Sequence, residues 1–152
     1  MPKARHILLV EDDDRDLELS LTAFSEAQIT NPIDIARDGV EALDYLYRRN
    51  QFSDRHPDLP AVVILDLKLP KRNGIEVLTE IRSNESMQNL PVVIVTSSRQ
   101  DKDIEACYHT GANAFVVKPV DFHDFLKAVG TVGSFWGKVN EPPKPIIKAE
   151  PE

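Results

Sequence analysis

The sequence predicts a doubly wound α/β domain, with five parallel strands and five helices covering both faces of the sheet. Three observations carry that expectation. Short aliphatic runs recur without polar alternation, as in strands buried on both faces. Segments of helical periodicity separate them, which is the pattern of β-α-β units. The 152 residues suffice for one domain and a short remainder, and no internal repeat divides them.

The elements follow in order. Ile7-Leu8-Leu9-Val10 is the first strand and stops at Glu11-Asp12-Asp13-Asp14. Leu17, Leu21, Phe24 and Gln28, with Ala23 and Ala27, trace a helix whose first turn is acidic, as capping and the helix dipole favour. Residues 32–36 alternate and read as a shorter, more exposed strand. Asp38-Gly39 marks a turn before a helix face of Val40, Leu43, Leu46 and Tyr47. Residues 50–60 hold Pro57 and Pro60 and read as a loop. The third strand, 61–65, ends at Asp66; Leu69-Pro70-Lys71-Arg72-Asn73-Gly74 supplies loop and turn chemistry before a helix bearing Ile75, Leu78 and Ile81. Val92-Val93-Ile94-Val95 ends at Thr96. A weakly amphipathic helix over 101–110 stops at Gly111. Ala114 to Val117 ends at Lys118-Pro119, and Phe122, Phe125, Leu126, Val129 and Val132 mark a last helix whose stride continues to Trp136. Four of the eleven prolines lie beyond Gly137. The expected division is a domain over 1–136 and a Pro-rich tail over 137–152.

Composition narrows the function. Eighteen basic against 25 acidic residues give a net charge of −7 and a pI near 5.1. A nucleic-acid binder needs a basic stripe to displace phosphate counterions, so none is expected here. No aliphatic run approaches a membrane span or a signal-peptide core, and the single Cys107 permits no internal disulfide. A reducing cytoplasm is the expected compartment. Cys107 reads as a small packing residue. His6, His56, His109 and His123 are scattered without metal-ligand spacing.

The chemistry lies where the strands stop. In open parallel sheets, ligands bind outside the carboxyl ends of the strands. Strands 1, 3, 4 and 5 would deliver Glu11 and Asp12, Asp66, Thr96 and Lys118 into one crevice. Crowded carboxylates call for a cation, and oxygen-only ligands suit Mg²⁺. Glu11, Asp12 and Asp66 then balance Mg²⁺ plus Lys118, leaving a near-neutral pocket able to receive a phosphoryl group. A carboxylate there can become an acyl phosphate, with the Thr96 hydroxyl sensing it.

These residues resemble the receiver domain of bacterial two-component response regulators over about residues 5 to 133. The resemblance rests on Leu9-Val10-Glu11-Asp12-Asp13, on Ile64-Leu65-Asp66-Leu67-Lys68-Leu69-Pro70 with Gly74, on Val95-Thr96-Ser97, and on Phe115-Val116-Val117-Lys118-Pro119. It implies a flavodoxin-like fold with strand order 2-1-3-4-5. It implies Asp66 as phosphoacceptor and Asp12 as a direct Mg²⁺ ligand. Glu11 would help through water, and the backbone carbonyl of Lys68 would complete the set. Thr96 and Lys118 would contact the phosphoryl group, Phe115 would be the aromatic switch, and Lys118–Pro119 would be a cis peptide. Glu11 departs from the commoner Asp, and Lys68 and Ser98 occupy positions that tune dephosphorylation in the family.

The chain is also similar to stand-alone receivers partnered with phytochrome-type histidine kinases, through the long 50–60 loop, Ser134-Phe135-Trp136 and the Pro-rich tail. That similarity implies a homodimer through the last helix and the tail, where Phe135, Trp136 and Ile146-Ile147 are apolar groups beyond the main core. A phosphohistidine donor is expected, since no Gly-rich loop ending in Lys-Ser/Thr exists for ATP. The protein is then not an enzyme beyond its own phosphorylation and dephosphorylation. An aspartyl-phosphate phosphatase is a second reading, although Lys68 stands where its general acid would be. A phosphorylation-independent dimeric adaptor is a third, and a flavin or nucleotide binder would meet the repelling acids after the first strand.

Overall fold

A computed structural model describes residues 5–144. Five strands, β1 (Ile7–Val10), β2 (Ile33–Ala36), β3 (Val62–Leu65), β4 (Val92–Thr96) and β5 (Ala114–Val117), form one parallel sheet in the order β2-β1-β3-β4-β5. The five α-helices are α1 (Asp14–Glu26), α2 (Gly39–Tyr47), α3 (Gly74–Ser83), α4 (Asp101–Thr110) and α5 (Phe122–Ser134).

The uninterrupted aliphatic runs acquire their meaning here. Because side chains alternate across a strand, Leu8, Val10, Val63, Leu65, Val92 and Ile94 face one core with the apolar sides of α2 and α3. Ile7, Leu9, Val62, Ile64, Val93 and Val95 face a second core with α1 and α5. Every residue of β1, β3 and β4 is buried, whereas the edge strands β2 and β5 are mostly half-buried.

Side chains close the helix starts. Asp13 accepts the amide of Asp16, Asp38 that of Glu41 and Asp121 that of Asp124, while Asn73 and Glu76 form a reciprocal capping box. At the far end of α4, Gly111 takes φ +115°, which a side chain would resist.

The structure departs from the sequence expectations in several places. Asp38-Gly39 is the cap and first turn of α2 rather than a free turn. Gln28 leaves the helix face, adopting φ 61° beyond the end of α1. Phe122, expected on the core face, opens α5 and is exposed. The 50–60 segment contains a 3-10 turn (Asn50–Phe52), which sets the Phe52 ring edge-on to Tyr45. The Lys118–Pro119 bond is trans, as is every described peptide bond; trans is the lower-energy isomer by about 0.5–1 kcal/mol.

The chain beyond α5 continues as a π-turn (Phe135–Val139), closed by Asn140 N–H donating to Phe135 O. Trp136 packs against the α1/α5 core, so it belongs to the domain's packing rather than lying outside it. The Asn31 side-chain amide donates to the Gly137 carbonyl, and Arg5 Nη1 donates to the Pro143 carbonyl at 3.0 Å. Ile146-Ile147 and the rest of the tail from 145 lie outside the described residues.

One glycine fixes the loop that carries Asp66. A Cβ on Gly74 would lie 2.4 Å from the Asp66 carbonyl oxygen and 2.8 Å from Leu67 Cα, so the helix start and the strand end could not stay in contact. Gly74→Ala should therefore lower stability by roughly 1–3 kcal/mol. The check is a shifted urea midpoint with an unchanged slope.

Candidate functional site

The site grows out of the ends of three central strands and one edge strand. Glu11 follows β1, Asp66 follows β3, Thr96 closes β4 and Lys118 follows β5. Backbone pairing continues one step past the strands and holds these residues in line. Glu11 N–H donates to Ala36 O, Asp66 N–H to Val10 O and Lys118 N–H to Thr96 O.

The Lys118 ammonium is the centre of the cluster. It donates to Glu11 Oε1, Asp16 Oδ2 and Asp66 Oδ2, each at 2.8 Å. Lys118, Glu11 and Asp66 are buried, at 8%, 3% and 8% exposure, so these bonds operate in a medium where charge matters. The second oxygens of Glu11 and Asp66 find backbone donors: Asp13 N–H to Glu11 Oε2 and Lys68 N–H to Asp66 Oδ1, both at 3.2 Å.

Burial opposes the charge on Lys118, yet the hydrogen bonds and charges of Asp16, Asp66 and Glu11 outweigh it and raise its pKa. Burial also pushes Glu11 up to about 7, against the pull of the Lys118 hydrogen bond and charge. Three carboxylates around one ammonium leave two negative charges uncompensated when all are ionised.

The other expected residues lie around this centre. Thr96 is fully buried, and Ser98 N–H approaches its hydroxyl only loosely, at 3.4 Å. The Asp12 side chain is exposed at the rim, and its carbonyl accepts from Arg37, which also pairs with Asp14. The Lys68 side chain is exposed and its amide serves Asp66. Phe115 pairs in register with Ile94 and packs, partly buried, against the α2/α3 core. Ser98 donates to Asp103 on α4.

Asp16 was not separable by sequence from the acids of a capped helix start. The available signal was its place in the first turn of α1, four residues beyond Asp12, where a side chain can lean back over the strand end. Arg37 gave no signal. Cys107 is a buried free thiol, pushed up to about 11 by burial and then by Asp103, as a packing residue should be. No helix among the described residues is long and apolar enough to cross a membrane.

Comparison with known proteins places this geometry. Residues 7–130 match the family model described as the response regulator receiver domain. A probable methanogenesis regulatory protein, FilR2 of Methanothrix harundinacea, is 39% identical over 139 residues, covering 91% of this chain and 88% of its own. Response regulator Rcp1 of Synechocystis is 35% identical over 130 residues, covering 86% and 87%. The crystal structure of Rcp1 in its Mn²⁺-bound form superposes with a TM-score of 0.84 at 33% identity, over 91% of this chain and 99% of that one. The phosphorylated cyanobacterial phytochrome response regulator RcpA gives 0.85 at 30% identity, over 93% and 99%. The bacteriophytochrome response regulator AtBRR gives 0.75 at 51% identity, over 92% and 100%. With the strand order, the buried acid-lysine cluster and these matches in agreement, the chain belongs to the response regulator receiver family and is related to the stand-alone phytochrome-associated regulators.

Proposed function

We propose that this protein accepts a phosphoryl group on Asp66 from the phosphohistidine of a phytochrome-type histidine kinase, in a Mg²⁺-dependent reaction, and signals through protein contacts. The observation that carries the reading is the buried Asp66 carboxylate, held 2.8 Å from an ammonium that two further carboxylates share. In the transfer, an Asp66 oxygen bonds to phosphorus as the phosphorus–nitrogen bond of the donor breaks, and the imidazole leaves with that electron pair.

The residues present fit a hard divalent cation. Their donors are all oxygens, and the cluster carries one excess negative charge with Glu11 protonated and two once it ionises. Asp12 and Asp66 would hold the ion directly, Glu11 through water, and Lys68 with its backbone carbonyl. When bound, Mg²⁺ offsets negative charge on the incoming phosphoryl oxygens. Lys118 then exchanges a carboxylate partner for a phosphoryl oxygen. The loosely engaged Thr96 hydroxyl turns to another, and Phe115 on the neighbouring strand follows the space it vacates. The reading places the protein in the cytoplasm and gives it no chemistry beyond its own phosphorylation and dephosphorylation.

The homologues named for phytochromes support the kinase class. The homodimer is proposed on the π-turn: Phe135 and Val139 are exposed, at 45% and 67%, beside the packed Trp136. Apolar groups of this kind on a helix end suit a second copy of the same surface.

Four outcomes test this reading. Incubation with a small acyl phosphate and Mg²⁺ should add one phosphoryl mass, and Asp66→Asn should abolish it; stoichiometric labelling of that variant at the wild-type rate would overturn the assignment. Lys118→Met should remove the one cation that, among the described residues, is bonded to the three carboxylates, making the thermal midpoint depend more steeply on Mg²⁺ concentration. For Glu11, the folded state retains a proton that the unfolded chain has released, so Mg²⁺-free protein should lose stability from this group between about pH 4.5 and 7. Glu11→Gln should flatten that slope in pH-dependent melting. Phe135→Asp with Val139→Asp should convert a dimer to a monomer in light scattering, and an already monomeric wild type would sink the dimer.

A further inference from the structure

We propose that His6, Asp34 and His56 form a second cation site, selective for a borderline divalent ion such as Zn²⁺, at the pole of the sheet opposite Asp66. The three ligand groups come from separate segments: the residue before β1, the edge strand β2, and the loop after the 3-10 turn. His6 Nδ1 lies 2.7 Å and His56 Nε2 4.0 Å from the same oxygen, Asp34 Oδ2. One ligand atom from each residue falls within 4.8 Å of the other two. Four-coordinate zinc sets its ligands about 3.3 Å apart, given metal–ligand bonds near 2.0–2.2 Å. The His6–Asp34 contact opens slightly and the His56–Asp34 contact closes slightly to reach that spacing.

Two features of the cluster call for a shared cation. The His56 Nε2 atom is buried without a hydrogen-bond partner among the described residues, an arrangement that leaves its lone pair unused. The two imidazole rings lie 3.9 Å apart between centroids, too close for both to be imidazolium without repulsion. Burial, then the neighbouring His6 and Arg55 charges, lowers the His56 pKa, which keeps its nitrogen available.

The supporting shell is that of a ligand set held in place. Tyr45 donates its hydroxyl to Asp34 Oδ2 and orients the carboxylate. Arg55 lies over the Tyr45 ring and donates to the carbonyls of His56 and Asp58, fixing the loop that presents the imidazole. Arg5 is turned away to the Leu59 and Pro60 carbonyls. An adjoining cavity of about 510 Å³, lined by residues including His6, His56 and Asp58, leaves room for a water as fourth ligand. Asp58 offsets part of the positive charge the two arginines bring. From His6 to Glu11 along β1 is about 16 Å at the rise of a strand, so the two sites are separate. The sequence concealed this cluster because its members are 28 and 22 residues apart, outside any local ligand motif.

The test is calorimetric titration of untagged full-length protein with Zn²⁺ in excess Mg²⁺, which keeps the Asp66 pole occupied. One equivalent should bind, and it should raise the thermal midpoint. His6→Gln and His56→Gln should each weaken binding by at least about tenfold, while Asp66→Asn leaves it unchanged. Tetrahedral Co²⁺ absorption bands in the wild type should vanish in His56→Gln, a loop substitution whose fold is verified by retained acyl-phosphate labelling at Asp66. Absence of saturable Zn²⁺ binding in excess Mg²⁺ would overturn the proposal, leaving His6–Asp34 as an ordinary hydrogen-bonded pair. Binding unaffected by both histidine substitutions would overturn it equally.

Discussion

A single ammonium shared among three carboxylates is the constraint around which the carboxyl pole of the sheet is arranged. Lys118 reaches back from the end of the edge strand β5 to acids that follow β1, begin α1 and follow β3. Buried charges of this kind are costly unless paired, and removing one partner leaves the others stranded. The strand order is what makes the pairing achievable: β1 and β3 are neighbours at the centre, and β5 lies two strands from β3. A long, flexible lysine side chain can cover that span where a shorter cation could not.

The same cluster is under-compensated, and that imbalance links structure to chemistry. With one ammonium among three carboxylates, the pole keeps an excess of negative charge even while Glu11 is protonated, and it is disposed to take up cations. Neither the aliphatic cores nor the helix caps depend on that outcome. They are satisfied by apolar burial and by local side-chain bonds, so the fold can stay fixed while the charges at its pole are rearranged.

Much of this was legible in the chain itself. Uninterrupted runs such as Ile7-Leu8-Leu9-Val10 announce strands covered on both sides, and the residue that breaks each run is by necessity at its carboxyl end. That alone assigns Glu11, Asp66, Thr96 and Lys118 to one pole. Asp16 could not, because capping and the helix dipole already account for acids in a first turn. Periodicity alone carries α1 on to Gln28, because the left-handed backbone conformation there leaves no hydrophobic trace. Trp136 looked like a group outside the core because nothing local reveals that Gly137 lets the turn settle onto Ile7. The His6–Asp34–His56 grouping was invisible for a related reason: it arises from parallel pairing of β1 with β2 and from a loop held by Arg55, both long-range facts.

The hydrogen bond from Arg5 to the Pro143 carbonyl has a topological consequence. It brings the beginning and the end of the described chain together beneath the amino ends of the strands, forming a nearly closed loop of polypeptide. The five-stranded sheet lies between that junction and the acidic crevice, so the two ends of the described chain meet on the side away from Asp66.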